Sequence, residues 1–142
     1  MSGQLDAEKV DEIIREYEST PDLTLIQVMN LRRELSCQHY WYSQLLGTLA
    51  SAYRITRAQR KAKFAELVNR LRPTVNSNAA AQALAEVDDE YRTLYENEHK
   101  LDGRERAGAR ICDAIKLVLN GMHQEIAELR EEERNIRETQ PT

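Results

Sequence analysis

The chain has 142 residues and is acidic, with 20 Lys and Arg against 24 Asp and Glu for a net charge of −4. Length and composition give one domain, or one long-helix assembly unit, and the scarcity of Gly and Pro beside many Ala, Leu, Glu, Arg and Gln favours helix. No apolar run approaches the roughly 20 residues of a membrane span, the start MSGQLDAEKVDE has no signal-peptide core, and Cys37 and Cys112 lie too far apart in helical patterns to read as a secreted scaffold, so a reducing cytoplasm is expected.

The first predicted element is a short amphipathic helix over about 5–18, with Leu5, Val10, Ile13, Ile14 and Tyr17 as its apolar positions. STPD (19–22) ends it and starts the next, with Thr20 as a potential N-cap, Pro21 at the first helical position and Asp22 near the positive helix end. A long helix is then expected over about 22–72, with a kink at Gly47 or a break before Leu31 left open.

Along that helix Val28, Leu31, Leu35, Tyr42, Leu46, Leu49, Tyr53, Phe64, Leu67 and Leu71 step by threes and fours, as a heptad-like seam does. The seam fails at Gln38/His39 and at Arg57/Arg60. RPTVNSN (72–78) is a loop in which Ser77 or Asn78 can cap a helix over about 78–101. LDG (101–103) is the next turn signal, and a last helix runs over about 104–138, ending in i,i+4 charge pairs. The fold class is all-α: a long-helix hairpin or coiled-coil-like bundle, completed by oligomerisation because one chain leaves long apolar stripes to cover. The assembly positions are Leu35, Tyr42, Leu46, Leu49, Tyr53, Phe64, Leu67 and Leu71.

Charge is unevenly spread. Residues 51–72 hold Arg54, Arg57, Arg60, Lys61, Lys63, Arg70 and Arg72 against Glu66 alone, a local +6 that leaves −10 for the rest. On a wheel of about 100° per residue Arg54, Arg57, Lys61 and Arg72 fall within about 60° of one another. Such a row can track phosphates, so all seven cations are candidate nucleic-acid contacts. The competing reading is a solvated face that pairs with the chain's own acidic helices, EVDDEYRTLYENE in particular. In CQHYWYS (37–43), Tyr42 belongs to the seam and Trp41 to inter-helix packing, while Tyr40 points towards the basic side and is the candidate for base stacking.

Cys37 and His39 point about 200° apart on a helix, and with His99, His123 and Cys112 they match no paired-ligand zinc spacing. No nucleophile, P-loop or metalloprotease motif is present, so neither a metal, nor a cofactor, nor enzyme activity is expected.

The order of these features resembles the phage recombination mediator proteins of the UvsY type over roughly 31–129. The closest stretch is YSQLLGTLASAYRITRAQRKAKFAELVNRL (42–71), where Tyr42, Ser43, Lys63, Leu67, Arg70 and Leu71 match without a gap. The family's Lys-x-Arg pair falls on Val68 and Arg70, so only its Arg is present, with Arg72 and the Arg54–Lys63 cluster as substitutes. The resemblance implies a homo-oligomer that binds single-stranded DNA and needs no cofactor. It would assist displacement of a single-strand-binding protein and loading of a RecA-type recombinase, in the cytoplasm of a bacterial host if phage-encoded. Two other classes stand beside it: a helical coiled-coil adaptor or scaffold with no nucleic-acid role, and a small helical viral inhibitor of a host factor.

Overall fold

A computed structural model of the chain describes residues 5–140. Among them are four α-helices and no strand: α1 (Ala7–Ser19), α2 (Leu25–Leu71), α3 (Asn78–Glu86) and α4 (Asp89–Thr139), with a single 3₁₀ turn at Arg72–Thr74. The all-α expectation therefore holds.

Each helix starts where a side chain can satisfy free backbone N–H groups. Asp6 caps α1 by accepting from the Lys9 N–H at 3.1 Å. The start of α2 differs from the expectation. Thr24, rather than Thr20, is the cap: Thr24 Oγ1 accepts from the Gln27 N–H at 3.3 Å, and Gln27 Oε1 accepts from the Thr24 N–H at 2.9 Å. This reciprocal pair satisfies two donors, which Thr20 followed by Pro21 and Asp22 does not do. Asp22 instead takes the left-handed conformation at φ 55° and turns the chain between the helices.

Helix α2 then runs without a break before Leu31 or at Gly47. Pro73 ends it, and Ser77 caps α3 by accepting from the Ala80 N–H at 3.1 Å, as the sequence suggests. The next boundary is a correction. The chain breaks at Val87–Asp88, whereas the LDG signal at 101–103 is continuous helix. Asp88 caps α4 by accepting from the Tyr91 N–H at 3.1 Å, and Asp89 and Glu90 occupy the positive first turn. Gly103 in a helix costs only about 1 kcal/mol, and an Asp102–Arg106 pair at 3.2 Å bridges that turn.

The chain divides into two compact units. One runs up to Gln44 and resumes at Ala109; the other is Leu45–Gly108. The first unit has a conventional apolar core. Val10 and Ile13 of α1, Val28, Leu31 and Leu35 of α2, and Ile115, Met122 and Ile126 of α4 are all buried at helical spacing. Each such side chain contributes about 1.5–3 kcal/mol of transfer free energy. The seam interruption at Gln38 is filled from α1: Gln38 is buried and its Oε1 accepts the Asp6 N–H at 3.1 Å. Tyr42 is buried as well, and desolvation raises its phenol pKa. Cys112 is buried and Cys37 exposed, and both are free thiols.

The second unit is built differently. Its buried apolar residues are Leu49, Leu67, Ala81 and Ala85, joined by the carboxylate of Glu98. Leu46 sits directly over Gly108, where a Cβ would lie 2.9 Å from Leu46 Cδ2. A side chain at 108 would oblige that leucine methyl to shift.

Candidate nucleic-acid interface

The seven candidate cations separate into two groups. Arg60 and Lys63 are engaged within the second unit. Arg60 forms a two-point ion pair with Glu98, Nε to Oε2 and Nη2 to Oε1, the latter at 3.4 Å. The hydrogen bond to Glu98 is the main cause of a raised Arg60 pKa, so the guanidinium stays charged in a site that leaves only 20% of its side chain exposed. Lys63 Nζ lies 2.7 Å from Glu90 and 3.9 Å from Glu66, and the Glu90 bond raises its pKa. The seam interruption at Arg60 is thus an internal charge pair between α2 and α4.

The other five are exposed. Arg54 Nε donates only to the Ala50 carbonyl of its own helix at 3.4 Å, and Arg72 Nη1 donates to the Val75 carbonyl at 3.1 Å. Among the described residues, the ion pairs involve none of Arg54, Arg57, Lys61, Arg70 and Arg72. Arg54, Arg57 and Lys61 succeed one another at helical spacing and form an unneutralised row.

A feature absent from the sequence reading adjoins this row. Four rings form a ladder: Phe64–Tyr91 with centroids 5.5 Å apart, Tyr91–Tyr95 at 6.2 Å and 29° between planes, and Tyr95–His99 at 4.4 Å edge to face. The Arg60 guanidinium carbon stands 6.0 Å from the Tyr95 ring centroid. Phe64 and Tyr91 are half-buried; Tyr95 is 46% exposed and His99 is exposed. The i,i+4 spacing of Tyr91, Tyr95 and His99 is the signal that identifies this ladder in the sequence.

The ladder and the row share a flank. Around α2 at 100° per residue, Lys63, which meets Glu90, lies about 60° to one side of Arg60, and Phe64, which meets Tyr91, about 40° to the other. At 100° per residue Arg57 lies about 20° from Phe64 around α2, and Lys61 about 60° from it. On α4, Tyr95 and His99 lie about 40° and about 80° from Tyr91. A cavity of about 450 Å³ opens beside the rings, lined by Glu86, Tyr91, Arg92, Tyr95 and Glu96.

Tyr40 belongs to the first unit, where it is 56% exposed and packs edge-on against Trp41 at 5.3 Å. There it lines an open groove of about 870 Å³ with Met29, Arg33, Cys37, Trp41 and His123, and with Arg32, whose Nη1 lies 3.4 Å from His123 Nδ1. Of the assembly positions, Leu35, Tyr42, Leu49 and Leu67 are buried inside the chain itself, and Leu46, Tyr53, Phe64 and Leu71 are half-buried. Much of the seam therefore serves the chain's own helix packing.

Among the described residues no helix is long and apolar enough to cross a membrane, and no group of three His, Cys, Asp or Glu side chains is placed to hold a metal ion. No protein-family model matches this chain, and no curated protein or solved structure gives a significant match to it.

Proposed function

We propose that this chain is a non-enzymatic single-stranded DNA-binding protein that works as a homo-oligomer, in the manner of a recombination mediator that assists loading of a RecA-type recombinase. The observation that carries the binding reading is the row Arg54–Arg57–Lys61, exposed and without an ion pair among the described residues of an acidic chain. Cations that the fold leaves unneutralised are available to phosphates, and each phosphate neutralised releases counterions. The assembly and recombinase roles rest on the resemblance at 42–71. Half-buried Leu46, Tyr53, Phe64 and Leu71, with Ile55 60% exposed, supply apolar surface for association.

The test is fluorescence anisotropy of a labelled single-stranded oligonucleotide over a range of salt, with duplex as control. Three to five phosphate contacts give a log–log salt slope of about −2 to −3.5. The triple variant R54E/R57E/K61E should lose binding with unchanged helix content. Equal binding by that variant would remove the site from the reading.

A second reading is supported by Arg60–Glu98 and Lys63–Glu90: the basic segment faces the chain's own acidic helix, as in a helical scaffold. It expects no affinity for nucleic acid at about 0.1 M salt, where exposed charges are screened beyond about 10 Å.

A further inference from the structure

The ring ladder is more than packing. Phe64 and Tyr91 anchor it in the second unit, and the exposed Tyr95 and His99 extend it towards solvent on the flank that carries Arg57 and Lys61. We propose that Tyr95 and His99 form a stacking platform for unpaired nucleobases, with Arg57 and Lys61 holding the adjoining phosphates. This rests on the nucleic-acid reading above and supplies its preference for single strands.

Three observations carry it. First, the platform is held in place before any ligand arrives. Tyr95 lies between Tyr91 and His99, with the Arg60 guanidinium near its ring, and Arg60 is itself fixed by Glu98. A ring held this way gives up little side-chain freedom on binding. Second, the cavity of about 450 Å³ beside Tyr91 and Tyr95 offers space next to an aromatic wall. Third, charge is divided across the flank. The α2 side carries Arg54, Arg57 and Lys61, which form no ion pair among the described residues, and the cavity side carries Glu86 and Glu96 beside Arg92. Carboxylates there disfavour phosphates and leave that side to bases, whose amino groups can donate to them. Bases in a duplex are stacked on their neighbours and hide their faces, so such a platform selects single strands without reading sequence.

The experiment titrates the full-length chain with three labelled oligonucleotides of equal length: a single strand with bases, a single strand of abasic sites, and a duplex. The wild-type chain should bind the base-bearing strand at least about tenfold more tightly than the abasic one, with similar salt slopes, because stacking adds to an unchanged phosphate term. Tyr95→Leu and His99→Ala should each lower affinity for the base-bearing strand towards the abasic value and leave duplex and abasic binding unchanged, while Tyr95→Phe should match wild type. Equal wild-type affinity for base-bearing and abasic strands would overturn the platform and leave the phosphate row standing. So would a Tyr95→Leu chain of native helix content that keeps full preference for bases. Absence of wild-type binding to any of the three would overturn both readings. The wild-type comparison needs no variant, so a misfolded substitution cannot mask the answer.

Discussion

The two units put the same secondary structure to opposite use. The first carries nine Lys and Arg against fifteen Asp and Glu, a net −6, and accounts for twelve of the buried apolar residues identified among the described residues. The second carries eleven against nine, a net +2, and accounts for four, two of them alanines. In the first unit, apolar stripes meet around a core. In the second, an Arg60–Glu98 charge pair and the Phe64–Tyr91 ring contact link α2 and α4. Burial of apolar surface is the dominant favourable term in folding, so the first unit is where stability concentrates. The second presents cations that form no ion pair among the described residues, and two exposed rings, Tyr95 and His99.

Core truncation is the strongest way to break that contrast. Leu35→Ala, at a fully buried position in the first unit, should cost about 3–5 kcal/mol in denaturant unfolding. Leu67→Ala, equally buried in the second unit, whose other buried apolar residues are Leu49, Ala81 and Ala85, should cost about 2–3 kcal/mol. A larger loss at Leu67 would show that the second unit holds the fold.

Glu98→Ala tests the charge pair. It leaves the Arg60 guanidinium largely buried without its carboxylate, and should cost about 2 kcal/mol. Replacing Lys63 by Ala should leave the midpoint nearly unchanged, because its partner Glu90 is 77% exposed. If the two variants unfolded alike, the distinction between an engaged and a superficial pair would fail.

A pH dependence belongs to the first unit. Burial, and then a hydrogen bond with Glu125, push the Tyr17 phenol up to about 12 from its ordinary 10. The folded state thus favours the neutral phenol. The associated stability is complete below pH 10 and is lost as pH rises towards 12. A pH series of unfolding midpoints should fall over that window, and Tyr17→Phe should flatten the fall. An identical slope in Tyr17→Phe would assign it to other groups.

Much of the helical plan was legible in the sequence, because capping and periodicity are local. Pro73 as the stop of α2 and the Ser77 cap follow from such rules, whereas the continuity of α2 at Gly47, open in the sequence, comes from the structure. The misplaced boundary at Val87–Asp88 came from weighing a glycine above an aspartate: Gly103 tolerates helix, whereas Asp88 supplies an acceptor that starts a new one. The candidate site was legible only as a list of cations. Which of them are spent internally depends on the register between α2 and α4, and Glu98 lies 38 residues from Arg60 in the chain. Periodicity along one helix says nothing about the offset of its neighbour. For the same reason Tyr40 stood out for stacking, whereas Tyr95 and His99 are the rings on the basic flank.

That offset is marked by one close packing contact. Leu46 is seated where Gly108 has no side chain. Sliding α4 by one turn in either direction would bring Arg104 or Cys112 under the leucine, and each carries a Cβ where its methyl group now rests. The absence of one carbon atom thus marks the observed alignment, since any other residue under Leu46 would oblige the leucine methyl to move.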